Sequence, residues 1–314
     1  MKKTDKIYIS GHLGLVGGAV HDLLKKNNFK NIIVKNKKKL DLLNQAQVYK
    51  FLKFTKPKYI IACAAKVGGV KSNLENNSDF LFENLQIQNN IIHGAYLANI
   101  KNLLFLGSSC IYPEKAKQPF KESSILQGKF FSGNEGYALA KVAGVKLCEY
   151  YSNKFNLNYK TLMPCNIYGP NDHFNDSNSH FIPAIISKIY NAHIKNEKKV
   201  LLWGTGKPKR ELLYVEDLAG AILFFLKIKT KEKIINIGSG KEYSIRQYAI
   251  KIRNIIQSDI KIVFNKNKVL DGIQKKLNCN KIIKKYKWKP KFNLEYGLRK
   301  TIEDLKSKLI ISQK

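Results

Sequence analysis

The stretch KIYISGHLGLVGGAVHDLL, residues 6–24, decides the fold of this chain. Its first five residues predict a short buried strand, and the residues that follow Gly17, through Leu24, predict a helix. Three glycines at intervals of three lie between them. The first permits a tight turn, the second lets a pyrophosphate approach the backbone, and the third lets the helix pack on the strand. A generic strand–turn–helix unit is the alternative. The residues assigned to a dinucleotide-binding loop are Gly11, Gly14, Leu15, Val16 and Gly17.

The rest of the chain alternates between the same two types of element. Strand-like segments at 31–35, 59–64, 103–107 and 159–163 are separated by helix-like stretches, of which 80–99 and 137–155 are the clearest. Strands that alternate with helices form a parallel sheet with helices on both faces. We therefore predict an α/β fold, with a doubly wound, Rossmann-type parallel sheet over residues 1–165. A smaller mixed α/β substrate domain is predicted over residues 166–314, with some of its segments returning to the first sheet.

Composition and charge indicate a globular protein and argue against a membrane protein or a nucleic-acid-binding protein. Of the 314 residues, 44% are hydrophobic and 25% are charged, which is enough apolar material for a substantial core. The net charge of +33 comes mostly from scattered lysines that accompany many Asn and Ile residues, so codon bias is favoured over a nucleic-acid-binding surface. No uncharged apolar run approaches the roughly 20 residues of a membrane helix, and no signal peptide precedes the first strand. We expect a cytoplasmic protein that binds neither membrane nor nucleic acid.

The cysteines do not predict a metal centre. There are five of them, they are scattered, and no pair has CxxC spacing. No cluster of histidines accompanies them. The sequence therefore predicts neither a zinc site nor a disulfide framework, and a buried thiol is the default state of each cysteine.

The end of the second predicted strand indicates which dinucleotide is bound. An NAD enzyme usually has Asp or Glu there to hold the ribose 2′-hydroxyl. This chain has lysines at 35 and 37–39 instead. Ammonium groups attract a 2′-phosphate, so NADP is favoured, with Lys37 as the phosphate partner; ordinary lysines of a lysine-rich chain are the alternative. Asp41 and Leu42, just beyond, are further candidate contacts of the coenzyme.

A serine, a tyrosine and a lysine that are typical of a reductase active site follow later in the chain. Tyr137 and Lys141 lie four residues apart in a predicted helix, so their side chains point the same way. An ammonium favours a nearby phenolate, so we expect Lys141 to lower the pKa of Tyr137 from its ordinary value of about 10. Such a tyrosine can give its proton to a carbonyl oxygen as hydride reaches the carbon. Ser108 directly follows a predicted strand, at the edge where open α/β sheets bind ligands.

Longer motifs resemble the GDP-L-fucose synthase family of the extended short-chain dehydrogenase/reductases. They are AAKVGG (64–69), LFLGSSCIYP (104–113), NEGYALAK (134–141), MPCNIYGP (163–170), SNSH (177–180) and the segment 203–211. The resemblance extends from Gly11 to about Lys276. It implies a doubly wound fold, NADPH as coenzyme, a GDP-4-keto-6-deoxy sugar as substrate, and a homodimer.

The resemblance also implies roles for individual residues. Cys110 and His180 match the family's base and acid, which invert C3 and C5, the carbons next to the C4 ketone. Ser108 and Tyr137 would bind the C4 oxygen, and Tyr137 with Lys141 would serve the later reduction of C4. The other implied coenzyme contacts are Ala64, Lys141, Pro164, Asn166 and His180, and the implied substrate contacts are Ser109, Asn166, Lys188, Trp203, Arg210 and Lys276.

Three functions stay open at this point. The first is NADPH-dependent conversion of GDP-4-keto-6-deoxy-mannose into GDP-L-fucose. The second is C4 reduction of a related GDP-4-keto-6-deoxy sugar, such as a heptose, because Phe181 is larger than the aliphatic residue expected there. The third, a basic binding protein without catalysis, would need none of Ser108, Tyr137 and Lys141. Leu13 stands where family members can carry an Arg near the 2′-phosphate, which predicts modest preference for NADPH over NADH.

Overall fold

The computed structural model describes residues 1–174, 179–228, 230–265 and 275–312, and its fold is of the predicted α/β class. Strands and helices alternate through the first part of the chain, as the sequence pattern predicts. The strands are β1 (Ile7–Ser10), β2 (Ile32–Val34), β3 (Tyr59–Ala62), β4 (Asn102–Leu106), β5 (Asn158–Pro164), β6 (Asn166–Tyr168), β7 (Lys199–Trp203), β8 (Lys209–Tyr214), β9 (Ile234–Ile237), β10 (Glu242–Ser244) and β11 (Lys261–Asn265). The helices are α1 (Leu15–Lys26), α2 (Gln45–Thr55), α3 (Val70–Glu75), α4 (Asn77–Leu97), α5 (Glu135–Phe155), α6 (Phe181–Ile194), α7 (Val215–Lys227), α8 (Ile245–Ile256) and α9 (Leu294–Ser312).

The larger sheet is parallel and has the strand order β2-β1-β3-β4-β5-β9. Every residue of β1 and of β3 is buried, as expected for central strands of a parallel sheet that helices cover on both faces. The strand order reverses between β1 and β3. Ligands of open α/β sheets bind outside the carboxyl ends of the strands at such a switch point. The predicted doubly wound sheet is confirmed, and its topology places a binding site at the ends of β1, β3 and β4.

Two groups of helices accompany this sheet. One consists of α1 and α7, which pack against each other; in the other, α4 lies between α2 and α5 and contacts both. The apolar side chains that fill the space between sheet and helices include Leu24, Ile91, Val145 and Leu218, all fully or almost fully buried. This packing holds the amino end of α1 and the side of α5 rigidly against the sheet.

The C-terminal part of the chain forms a second, smaller unit. Strands β10, β8 and β6 make a three-stranded mixed sheet, and β7 pairs in parallel with β11. Helices α6, α8 and α9 pack together on a separate core that includes Ile186, Leu212, Ile252 and Leu298. Strand β9 returns to the larger sheet and pairs with β5. The chain therefore crosses between the two units, and residues of both border the space above the larger sheet.

Candidate active site

A cavity of about 700 Å³ opens at the carboxyl ends of the parallel strands, beside the switch point of the larger sheet. Phe181 and Leu212, from the second unit, form part of its wall. All five predicted catalytic residues border this one space. The predicted residues that line the cavity are Gly11, Gly14, Leu15, Val16, Gly17, Ala64, Ser108, Ser109, Cys110, Tyr137, Lys141, Pro164, Asn166 and His180.

The glycine loop forms one wall of the cavity between β1 and α1. Gly11 has a φ of +73°, and a Cβ at this position would lie 2.8 Å from the backbone nitrogen of Ala64. A Cβ at Gly17 would lie 2.1 Å from the carbonyl oxygen of Gly11, so glycine lets α1 begin directly against the end of β1. Within the described ranges, no side chain caps the start of α1 at Gly14. Its first N–H groups and the positive end of its dipole fit the pyrophosphate of a dinucleotide.

Tyr137 and Lys141 lie on α5 and both line the cavity, as their spacing predicts. The buried Lys141 Nζ lies 5.8 Å from the ring centroid of Tyr137 and donates a hydrogen bond to the carbonyl oxygen of Leu106 at 2.9 Å. Burial lowers the pKa of Lys141 to about 8. Burial also raises the pKa of Tyr137; the nearby Cys110 raises it further, and a hydrogen bond with Ser108 lowers it in part.

The prediction that the pKa of Tyr137 lies below its ordinary value is therefore wrong for this structure. Helical spacing brings the two side chains together, but it contains no information about how far each is removed from water. The cost of a desolvated phenolate dominates, and the Lys141 ammonium is directed at the carbonyl oxygen of Leu106. Tyr137 consequently keeps its proton near neutral pH, which is the state that a proton donor needs.

Cys110 lies in a single 3₁₀ turn, Ser109–Ile111, that follows β4. Its backbone N–H donates a hydrogen bond to the Oγ of Ser108 at 3.1 Å, and the Nζ of Lys275 lies 3.6 Å from its sulfur. Burial raises the pKa of the Cys110 thiol, but the charge of Lys275 and hydrogen bonds from polar neighbours outweigh it, so the pKa is lower than usual. Sequence analysis missed Lys275 because 165 residues separate it from Cys110, and no local pattern marks such a pair.

His180 and Asp172 border the cavity from the second half of the chain. His180 directly precedes α6, and its side chain is exposed. Asp172 is buried; its Oδ1 accepts a hydrogen bond from the N–H of His173 at 2.8 Å, and its Oδ2 has no partner in the described part of the chain. Burial raises the pKa of Asp172, and the charge of His180 lowers it in part. Sequence analysis did not single out Asp172, and Ser177 and Asn178 of the SNSH motif lie outside the described residues.

Three predicted coenzyme contacts do not line the cavity. Lys37, Asp41 and Leu42 lie in the segment between β2 and α2. Lys37 is exposed, Asp41 accepts a hydrogen bond from the N–H of Leu43 at 3.1 Å, and Leu42 packs against the core. Because β2 runs parallel to β1, this segment follows the same edge of the sheet as the glycine loop. A dinucleotide that extends from the loop along this edge would reach it.

The predicted contacts of the nucleotide end also lie outside the main cavity. The Nζ of Lys188 lies 4.7 Å from the ring centroid of the half-exposed Trp203. Lys188 lines a second cavity of about 460 Å³. Arg210, on β8, is next to the segment that carries Lys276, whose ammonium lies 3.7 Å from the carboxylate of Glu242. The structure thus brings Lys188 to Trp203 and Arg210 near Lys276, as two separate pairs.

Three further properties of the molecule bear on the kind of protein it is. No helix in the described ranges is both long and apolar enough to span a bilayer. The same residues include no group of three or more His, Cys, Asp or Glu side chains that could hold a metal ion. The five cysteines are all free thiols.

Known proteins that resemble this chain in sequence or structure include enzymes of sugar nucleotides, which agrees with the arrangement of residues in the cavity. The model of the NAD dependent epimerase/dehydratase family matches residues 7–238. GDP-L-fucose synthase 1 of Arabidopsis thaliana is 42% identical over 301 residues, which cover 96% of this chain and 93% of that protein. A solved GDP-6-OMe-4-keto-L-xylo-heptose reductase from Campylobacter jejuni is 34% identical with a TM-score of 0.92, over 98% of this chain and 99% of that one. The GDP-mannoheptose C4 reductase of the same organism, with NADP bound, is 34% identical with a TM-score of 0.88 and the same coverage.

Proposed function

The chain belongs to the NAD dependent epimerase/dehydratase family, and we propose that it converts GDP-4-keto-6-deoxy-mannose into GDP-L-fucose with NADPH. The reaction inverts C3 and C5 of the sugar and then reduces C4. One observation carries the proposal: a hydroxyl, a thiol, a phenol, an amine and an imidazole border the same cavity beside the glycine loop. These groups belong to Ser108, Cys110, Tyr137, Lys141 and His180.

The coenzyme supplies the hydride that C4 receives. The N–H groups at the start of α1 and the cradle at Gly11 hold its pyrophosphate. Ala64, Pro164 and Asn166, which line the cavity, hold the nicotinamide half. The segment after β2 holds the adenosine half, with Lys37 beside the 2′-phosphate.

Each inversion transfers one proton from the sugar and one to it. The Cys110 thiolate takes the proton from C3 or C5, and the electron pair of the broken C–H bond moves into an enolate on the C4 oxygen. Ser108 and Tyr137 donate hydrogen bonds to that oxygen, where the negative charge develops. His180 returns a proton from its imidazole ring to the opposite face of the carbon. Exchange with solvent then restores the thiolate and the imidazolium.

Reduction uses the same oxygen-binding pair. As C4 gains a hydride, the phenol of Tyr137 gives its proton to the C4 oxygen, and the carbonyl becomes a hydroxyl. The raised pKa of Tyr137, caused by burial, keeps this proton available beforehand. Lys141, whose pKa burial lowers to about 8, is still mostly charged at neutral pH and stabilises the phenolate that remains.

The second unit binds the nucleotide end of the substrate. Lys188 and Arg210 bring positive charge to the diphosphate, Trp203 offers an aromatic face, and Lys276 lies beside Arg210. Residues 1–165 accordingly form the coenzyme domain and residues 166–314 mainly the substrate domain. In this proposal the enzyme is cytoplasmic, and it is a homodimer, as the resemblance to its family implies.

A second candidate is a C4 reductase that acts on a GDP-4-keto-heptose without epimerisation. The observation that favours it is Phe181, whose side chain lines the cavity directly after His180 and lies with its ring centroid 5.8 Å from that of Tyr248. A residue of this size changes the shape of the space available to the sugar. The Campylobacter jejuni heptose reductases share the fold over nearly the whole chain.

Product analysis in deuterated water separates the two candidates. The protein is incubated with NADPH and GDP-4-keto-6-deoxy-mannose, and the sugar product is identified by NMR. We expect GDP-L-fucose with deuterium at C3 and C5, because each enolate is protonated from the solvent pool. C4 reduction without deuterium at either carbon would support the second candidate, and absence of NADPH oxidation with any GDP-4-keto sugar would contradict both.

Lys37 is expected to determine the preference for NADPH over NADH. Lys37→Ala removes a cation from the 2′-phosphate, so kcat/KM for NADPH should fall about tenfold while that for NADH changes little. Lys30→Ala is the matched control, because Lys30 is an exposed lysine at the opposite end of β2. Steady-state kinetics with both coenzymes measure the effect. If kcat/KM for NADPH fell equally in Lys37→Ala and Lys30→Ala, Lys37 would act only through the net charge of the protein.

A further inference from the structure

We propose that Lys275 is the cation that holds Cys110 as a thiolate and so makes it a competent base. The inference deepens the proposed function and rests on it for the catalytic use of the thiolate. Its starting point is the distance of 3.6 Å between the Nζ of Lys275 and the sulfur of Cys110, a residue that lines the cavity. Without a cation, a thiol in this position would stay protonated and could not remove a proton from carbon.

Hydrogen bonds to two different parts of the chain hold the backbone at Lys275 and the two residues after it. The fold therefore fixes the contact between Lys275 and Cys110. Leu277 donates its N–H to the Oε2 of Glu211 at 2.9 Å, and Glu211 is completely buried on β8. The carbonyl oxygen of Lys276 accepts the N–H of Phe120 at 2.8 Å. Lys275 itself pairs with Arg210 in a short parallel bridge. These contacts join the segment to β8 and to the loop after Cys110.

The other groups that face the sulfur cannot replace the ammonium. Ser108 and Asn134 are neutral hydrogen-bonding partners, and Tyr137, which lies on α5, becomes negative when it ionises. Among the charged groups that act on Cys110, Lys275 has the largest effect. Burial disfavours the thiolate, and the charge of Lys275 is the main effect that opposes burial. Without that charge, the pKa of Cys110 should rise.

Alkylation gives a direct measure of the thiolate in the full chain, without substrate. The Cys110 thiolate attacks iodoacetamide, a C–S bond forms and iodide leaves. Burial raises the pKa of Cys63 to about 12, and it also raises the pKa values of the other three cysteines. Cys110 is partly exposed, so it should react first near neutral pH. Peptide mass spectrometry reports its modification alone.

The test is the pH profile of this rate in wild type, Lys275→Met and Lys275→Arg. The Met variant keeps an unbranched side chain of similar size and loses the charge, so alkylation at pH 7 should be about tenfold slower and its midpoint should move to higher pH. The Arg variant should retain most of the wild-type profile. Lys284→Met, an exposed lysine farther along the same segment, is the matched control and should match wild type. Identical profiles for wild type and the Met variant, or an Arg variant shifted as far as the Met variant, would overturn the proposal.

A second measurement separates this inference from the proposed function. Deuterium exchange at C3 and C5 of the substrate should be slower in Lys275→Met at pH 7 and should recover toward the wild-type rate at higher pH. Absence of exchange in the wild type would overturn the catalytic use of the thiolate and the proposed epimerase together. The alkylation profiles would still decide, on their own, whether Lys275 controls the charge of Cys110.

Discussion

Tyr137→Phe is expected to lower the rate of C4 reduction at least about a hundredfold, which is the usual effect of removing a positioned general acid. The substitution deletes only the hydroxyl that gives its proton to the C4 oxygen. NADPH should bind almost as before, because the glycine loop, Lys37 and the residues of the nicotinamide half are unchanged. Stopped-flow oxidation of NADPH measures reduction, and a fluorescence titration measures coenzyme binding.

Tyr150→Phe is the control for this experiment. Tyr150 lies on the same helix, α5, and is 62% exposed, so loss of its hydroxyl should change neither reduction nor binding. If Tyr137→Phe kept most of the wild-type turnover, another group would have to protonate the C4 oxygen. Parallel losses of NADPH binding and turnover would instead indicate that the tyrosine supports the shape of the cavity.

The sequence was sufficient to predict the fold because its signals are local. A buried strand, three spaced glycines and a helix occur together within 6–24, and the structure has a strand and a helix there joined by a loop that begins with a glycine of φ +73°. Alternation of strands and helices was enough to predict the doubly wound sheet. Spacing of four residues on a helix was also enough to bring Tyr137 and Lys141 to one cavity.

The features that sequence analysis missed depend on contacts through space. The strand β8 and the C-terminal segment bring Lys275 to Cys110 across 165 residues, and no spacing rule covers such a distance. The sign of the pKa shift of Tyr137 depends on desolvation by the whole fold, which a pair of residues on a helix does not determine. Burial of Asp172 at the cavity wall is likewise a property of the packed chain.

Cys110→Ala is expected to abolish deuterium incorporation at C3 and C5 and to leave hydride transfer to C4 in place. The substitution removes the atom that accepts the carbon-bound proton, so no enolate forms. Tyr137, Lys141 and Ser108 are untouched, and the variant should reduce the ketone that it is given. The expected product from GDP-4-keto-6-deoxy-mannose is a GDP-6-deoxyhexose with C3 and C5 in their original configuration. NMR of the product formed in deuterated water measures both properties at once.

Cys63→Ala tests whether the effect is specific to the thiolate. Cys63 lines the same cavity, but burial raises its pKa to about 12, so it is a neutral thiol at working pH and its loss should not slow exchange. Deuterium uptake by Cys110→Ala at the wild-type rate would show that a different base removes the proton. Loss of both exchange and reduction would mean that Cys110 shapes the sugar site. If Cys110→Ala loses deuterium exchange but still reduces C4, Cys110 must be the base. Both reactions use the residues that bind the C4 oxygen, but only the exchange reaction needs a group that accepts the proton from carbon.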